Sequence, residues 1–164
     1  MALILRVVSR WSVWERGDPN EIVEYHFRAR EGGTDFRPSV YETDDDAAEI
    51  LRVMAEHSSG SNSLTTMRGI DLAGTCPRDP IATPGDLRFT FTRGRHRELV
   101  LESREELVEI VRRVLPELEA RTRVADKRAI KEYVASAVEA CDPEWLGFFR
   151  EHPERASRYS VELP

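Results

Sequence analysis

The stretch ALILRVVSRWSVWERGDPNEIVEYHFRA, residues 2–29, carries the pattern that decides the fold. Apolar and polar side chains alternate over residues 2–15, with Trp11 on the apolar parity, and alternation of period two is typical of a half-buried strand. Residues 21–30 alternate in the same way, with Tyr25 on the apolar side. The intervening residues 17–20 have the composition of a turn. We therefore expect a hairpin that places Trp11 and Tyr25 on one buried face of a sheet.

Two further strand regions follow this hairpin. A turn at Gly32-Gly33 precedes a shorter strand around residues 35–41, which completes a three-stranded meander. Pro38 cannot donate a hydrogen bond to a neighbouring strand, so we expect this strand at an edge. Residues 64–86 predict a long connection with one short strand or helical turn near 64–73. Residues 87–102 predict a second hairpin whose tip is residues 93–97.

Helix signals fill the rest of the chain. A capping side chain followed by acidic residues in the first turn favours a helix start. Ser103 and Glu106 also have the spacing of a capping box. Pro116 predicts a kink or break, and the last eleven residues are expected to form a loose arm. The predicted helices begin after Thr43, after Ser103, near residue 126 and after Asp142.

The order of these elements predicts an α+β fold. The sheet is expected to be antiparallel, built from the N-terminal meander and the second hairpin, and covered by helices on one side, with a helical C-terminal part. Residues 1–164 are expected to form a single domain. A soft boundary is expected near residues 122–126, before a C-terminal helical pair.

Composition indicates a bacterial, cytoplasmic protein. Positive charge is carried by 22 Arg and 2 Lys, a skew expected of a GC-rich genome. The two cysteines have no motif spacing and are expected to be reduced. The N-terminus has neither the basic start of a signal peptide nor the length of a membrane span. The net charge of −6 disfavours non-specific DNA binding as the main role.

Familiar catalytic and metal-binding motifs are missing from the sequence. There is no phosphate loop, no G-x-G-x-x-G, no H-E-x-x-H, no C-x-x-C and no G-x-S-x-G. We therefore expect no metal and no cofactor. The sharpest enzyme hypothesis is a nucleophilic Cys76 with His57 or His96 as base, in a site around the 58–86 loop. The polar residues 58–63 could form a phosphate nest, but a flexible linker is the preferred interpretation.

Charge distribution supplies the binding candidates. The chain carries a net −5 in residues 1–60 and a net +2 in residues 61–100. Two patches of opposite sign could steer association with a partner. The candidate binding residues are the basic Arg93, Arg95, His96 and Arg97 at the predicted hairpin tip, and the acidic Asp45, Glu49 and Glu56.

The leading functional expectation is a non-catalytic protein that binds another macromolecule, as an accessory, regulatory or immunity-type component. The partner is expected to be another protein or a second copy of the chain rather than a membrane. The first alternative is a nucleic-acid-binding module that uses the basic hairpin. The second is an enzyme at the 58–86 loop, which a deep pocket lined by Cys76 and a histidine would favour.

Overall fold

A computed structural model describes residues 2–28, 33–83, 89 and 94–164. These residues form an α+β fold, as predicted, with an antiparallel sheet and helices packed against it. Within the described ranges the sheet has six strands in the order β4-β5-β2-β1-β3-β6. The strands are β1 (Ala2–Val8), β2 (Ser39–Asp44), β3 (Met67–Asp71), β4 (Ile81–Ala82), β5 (His96–Glu98) and β6 (Thr122–Ala125).

Helices and 3-10 turns account for most of the remaining described chain. The α-helices are α1 (Trp11–Arg16), α2 (Pro19–His26), α3 (Ala47–Ser58), α4 (Arg104–Val114), α5 (Leu118–Arg121), α6 (Lys127–Glu139) and α7 (Pro143–Glu151). Two 3-10 elements span Leu115–Glu117 and Pro153–Tyr159; the second is called the C-terminal 3-10 helix below. In the described part of the chain, no helix combines the length and the apolar character needed to cross a membrane.

The N-terminal meander is not formed, because the residues after β1 are helical. Asp18 caps α2 by accepting from the backbone N–H groups of Asn20 and Glu21, and Pro19 occupies the first turn. Gly17 ends α1 with a positive φ of 72°, a conformation that favours glycine. Residues 17–20, expected to form a hairpin turn, thus end one helix and begin the next. The pairing of Trp11 with Tyr25 was wrong: both lie on helices, and Tyr25 is 48% exposed.

Strand β1 lies inside the sheet, with β2 on one side and β3 on the other. Leu5 faces Tyr41 in the first pairing and Asp71 in the second. The edge position expected for the strand after Pro38 was also wrong. Pro38 precedes β2, and β2 pairs with β1 and with β5. Of the short strand or helical turn expected near residues 64–73, the structure has the strand, β3.

Helices cover both faces of the sheet, whereas one covered face was expected. Alternate β1 residues point to opposite sides: Leu3 and Leu5 join one buried cluster, and Ile4 packs against the other. The first cluster includes residues of α3, α6, α7 and the C-terminal 3-10 helix, and the second includes residues of α1, α2 and α4. Gly69 of β3 permits close packing in the first cluster. A Cβ there would lie 2.8 Å from side-chain atoms of Leu5 and Met54.

Most helix predictions are confirmed, with two changes in the caps. Asp46, not Thr43, accepts the N-terminal hydrogen bonds of α3, at 3.0 and 3.1 Å. Ser103 makes no capping hydrogen bond at α4, and the Glu106 carboxylate accepts from the backbone N–H of Glu102 instead. Asp142 caps α7 as predicted. Pro116 lies in the 3-10 turn that separates α4 from α5, which confirms the break.

The C-terminal residues are packed rather than loose. Ala156 and Tyr159 of the C-terminal 3-10 helix are buried in the first cluster. The segment expected to mark a soft boundary contains strand β6, which pairs with β3. The predicted second hairpin is only partly described, because residues 84–88 and 90–93 lie outside the described ranges. Strand β5, at its predicted tip, pairs with β2 and β4.

Candidate functional site

The basic candidate residues are held against the body of the protein. Arg95 lies 2.8 Å from the Glu49 carboxylate, and Arg97 lies 3.3 Å from Glu42. The His96 side chain is buried, with 7% exposure, and its ring contacts that of Tyr41. Arg93 lies outside the described residues. The expected exposed tip is therefore wrong for the part that is described, because β5 is a strand of the sheet.

The acidic candidate residues form ion pairs as well. Asp45 accepts two hydrogen bonds from Arg123, at 2.9 and 3.1 Å, and this guanidinium lowers the pKa of the Asp45 carboxyl. Glu56 is buried, and its carboxylate lies 3.7 Å from Arg52. Since Glu49 pairs with Arg95, part of the acidic set neutralises part of the basic set. Some of the candidate charges are therefore paired with charges of the opposite sign on the protein itself.

Cys76 has the surroundings of a structural thiol. Its Sγ donates to the Leu72 carbonyl at 3.6 Å, and burial raises the pKa of the thiol. A raised pKa lowers the thiolate fraction and opposes nucleophilic reactivity. His57 is hydrogen-bonded to Tyr41 of β2, and among the described residues no hydrogen bond joins Cys76 to His57 or His96. Among the described residues, no group of three or more His, Cys, Asp or Glu side chains could hold a metal ion.

A polar cavity of about 360 Å³ lies where β1 ends and β3 begins. It falls within the usual size range of small-molecule sites. Val8 pairs with Arg68 at this end of the sheet, so their neighbours converge on one place. The loop after α3 lines the cavity with hydroxyl and amide side chains. The lining residues are Val7, Val8, Ser9, Arg10, Trp11, His57, Ser61, Asn62, Ser63, Thr65, Thr66, Met67 and Arg68.

The charge of this cavity is opposite to that of the whole chain. Arg10 and Arg68 line it, and none of its described lining residues is acidic. The Arg68 guanidinium lies 5.4 Å from the centre of the Trp11 ring, and that of Arg10 lies 5.4 Å from the centre of the Tyr25 ring. Over the described ranges, neither guanidinium forms an ion pair with a carboxylate. Stacking on a ring orients each cation while leaving its N–H groups for an anion.

Arg10 has an unusual backbone conformation. It precedes α1 with φ 50° and ψ 59°, in the left-handed region that side chains other than glycine and asparagine seldom adopt. Such conformations cost about 1–3 kcal/mol and concentrate at ligand and catalytic sites. The chain turns here from β1 into α1, and the turn brings Arg10 to the cavity wall.

The C-terminal 3-10 helix holds the loop that lines the cavity. Arg155 donates to the Ser59 carbonyl, and Arg158 donates to the Ser61 carbonyl. The hydroxyls of Tyr159 and Ser58 are 2.8 Å apart in a buried hydrogen bond. The flexible linker expected at residues 58–63 is therefore wrong, because side chains about 100 residues later in the chain fix its backbone. A loop held in this way presents its hydroxyl groups in one arrangement.

His57 contributes a neutral imidazole to the cavity. Its Nδ1 lies 2.8 Å from the Tyr41 hydroxyl. Burial, together with the nearby Arg6 charge, lowers the pKa of His57 to about 4. Burial also raises the pKa of Tyr41 to about 12. Both groups are therefore uncharged at neutral pH, and His57 can act there as a hydrogen-bond donor or acceptor without adding charge.

Sequence reasoning singled out His57 and the 58–63 loop but missed both arginines of the cavity. A stretch rich in Ser, Asn and Thr from 58 to 66, followed by Arg68, was the available signal. Arg10 carried no signal, because it was placed on the polar face of a strand. Comparison with protein-family models, with curated proteins and with solved structures yields no match.

Proposed function

We propose that the protein binds a small ligand that carries an oxyanion group, in the cavity between the end of β1 and the loop after α3. The observation that supports this most strongly is the pair of arginines without carboxylate partners among the described residues, in a cavity lined by hydroxyl and amide groups. Guanidinium groups bind planar or tetrahedral oxyanions through two hydrogen bonds at once. The proposal concerns binding and includes no reaction.

The contrast with other arginines supports the choice of this site. Arg78, Arg95 and Arg123 each form a close ion pair with a carboxylate, as do several others. An acidic chain offers many such partners, so a guanidinium that stacks on a ring instead remains available for an anion from solution. Two such groups at one cavity raise the local concentration of anions by electrostatic attraction.

The test is calorimetric titration with inorganic phosphate and with phenyl phosphate. We expect wild type to bind and Arg68→Ala to bind at least 10-fold more weakly, because a hydrogen bond to a charged group contributes about 1.5–3 kcal/mol. Arg128→Ala is the matched control, since that side chain is 89% exposed and forms an ion pair with its helix neighbour Glu132. Absence of binding by wild type, or equal binding by Arg68→Ala, would contradict the proposal.

The macromolecular partner expected from the charge distribution remains a separate prediction. The ion pairs of Arg95 and Arg97 reduce the charge that this surface presents to a partner. A pull-down that depends on Arg97 but not on Arg68 would support a partner at β5. A pull-down that is lost in Arg68→Ala would instead indicate a partner that presents its oxyanion to the cavity.

A further inference from the structure

We infer that the ligand of this cavity is a phosphate monoester, bound as its dianion by Arg10, Arg68 and the Nε2–H group of His57. This inference rests on the proposed function and names the class of ligand. Three features of the cavity support it: its charge, the donor that His57 provides, and the apolar part of its wall.

The charge of the cavity matches a dianion. Arg10 and Arg68 each carry one positive charge, and neither forms an ion pair with a carboxylate among the described residues. His57 is neutral at pH 7, because burial and Arg6 lower its pKa to about 4. A phosphate monoester carries close to two negative charges at this pH. A carboxylate or a sulfate ester carries one and would leave one guanidinium without a counter-charge.

In the proposed arrangement the Tyr41 hydroxyl donates to Nδ1 of His57, and this direction sets which ring nitrogen carries the proton. The Tyr41 hydroxyl keeps its proton, since its pKa is raised to about 12, and it lies 2.8 Å from Nδ1. When this hydroxyl donates to Nδ1, the imidazole proton is on Nε2. Nε2–H then donates a hydrogen bond, which an oxygen of the fully deprotonated phosphate accepts. Tyr41 acts through His57 and is a positioning residue.

The apolar part of the wall accommodates the organic group of the ester. Val7, Val8, Trp11 and Met67 line the cavity beside its polar loop. The cavity measures about 360 Å³, which exceeds what a single phosphate group fills. The hydroxyl groups of Ser61, Ser63, Thr65 and Thr66 can donate to the remaining phosphate oxygens. A phosphate ester therefore contacts both the apolar and the polar part of the wall, whereas inorganic phosphate contacts the polar part alone.

Three ligands with the same ring separate the chemical classes. Calorimetric titration at pH 7.5 compares phenyl phosphate, phenyl sulfate and benzoate on the full chain. We expect phenyl phosphate to bind at least 10-fold more tightly than either monoanion, and more tightly than inorganic phosphate. Equal affinity for the three, or preference for phenyl sulfate or benzoate, would overturn the inference. Such a result would leave the proposed function standing, provided that Arg68→Ala still weakens binding.

The role of Tyr41 has its own measurement. Long-range ¹H–¹⁵N correlation spectra of wild type report which nitrogen of His57 carries the proton, with no ligand and no substitution needed. We expect the Nε2–H form in wild type. In Tyr41→Phe we expect a mixture of the two forms and about 10-fold weaker binding of phenyl phosphate, with the melting transition measured in parallel. The Nδ1–H form in wild type would overturn the assignment of His57 as a donor.

Discussion

Charge reversal at Arg95 tests whether β5 presents a free basic surface or an internal ion pair. The Arg95 guanidinium lies 2.8 Å from the Glu49 carboxylate. The two side chains are only 27% and 31% exposed. Arg95→Glu removes this attraction and brings two carboxylates together. At about 4 Å, two unit charges interact by about 1 kcal/mol in water and about 4 kcal/mol at an effective dielectric constant of 20.

Because the pair is partly buried, we expect Arg95→Glu to lower the free energy of unfolding by about 2 kcal/mol, a value between these limits. The exchanged double variant, with Glu49→Arg added, should recover at least half of that loss. Denaturation in urea, followed by tryptophan fluorescence, provides the four values of a double-mutant cycle. An exposed pair such as Arg113–Glu109, 59% and 52% exposed, is the control. The same reversal there should cost less than about 1 kcal/mol.

A loss below about 0.5 kcal/mol for Arg95→Glu, within the range usual for exposed substitutions, would refute this reasoning. It would show that the ion pair with Glu49 contributes little to stability. Absence of any recovery in the double variant would also count against the ion pair. In either case the macromolecular partner expected at β5 would regain its support.

Three further predictions concern stability. Gly69→Ala should cost about 1–3 kcal/mol in a urea titration, because the added Cβ would lie 2.8 Å from neighbouring side chains, and a loss near zero would contradict this packing. Trp14→Ala should lower the free energy of unfolding by about 3–5 kcal/mol, because Trp14 is 1% exposed. Trp11→Ala, at the cavity wall, should lower it by less than half as much. Equal losses for the two variants would contradict the placement of both residues on α1. The free energy of unfolding should fall from pH 7 to pH 4.5. Burial lowers the pKa of both His26 and His57 in the folded protein to about 4, whereas a histidine in the unfolded chain has a pKa of about 6.5. Between these values the unfolded chain binds more protons than the folded protein, so acid favours unfolding. A free energy of unfolding that does not change with pH would contradict the burial of the two rings.

The helical C-terminal half could be predicted because its signals are local. Asp142 with Pro143 begins α7, and Pro116 interrupts the helical run, as expected. Each signal acts through backbone hydrogen bonds within one or two turns of the residue itself. Packing against the sheet reinforces these elements without changing their type.

The N-terminal helices were predicted as strands because the same apolar residues fit both the strand period of two and the helical period. Val13 is apolar on the strand parity, yet Val13 and Trp14 are also the buried side of α1. Gly17 ends one helix, Asp18 caps the next and Pro19 lies in its first turn. These local signals outweigh the alternation of apolar and polar residues on either side of them. Alternation over such short segments does not separate a strand from a helix.

The candidate site could be predicted only in part. His57 and the polar loop after it are close in sequence, and both were considered. Arg10 reaches the cavity only because α1 turns away from β1, and Arg158 fixes the loop from nearly 100 residues away. No spacing rule connects positions that tertiary packing alone brings together. The ion pairs of Arg95 and Asp45 could not be predicted for the same reason, since their partners Glu49 and Arg123 lie on other elements.

The most direct test of the anion site is a ¹H–¹⁵N spectrum of the full chain titrated with phenyl phosphate at constant ionic strength. We predict saturable shifts of the backbone signals of residues 8–11 and 61–68 and of the His57 ring, because these residues line the cavity. The signals of residues 95–97 should not move. Shifts confined to residues 95–97, or no saturable shift anywhere, would contradict the account.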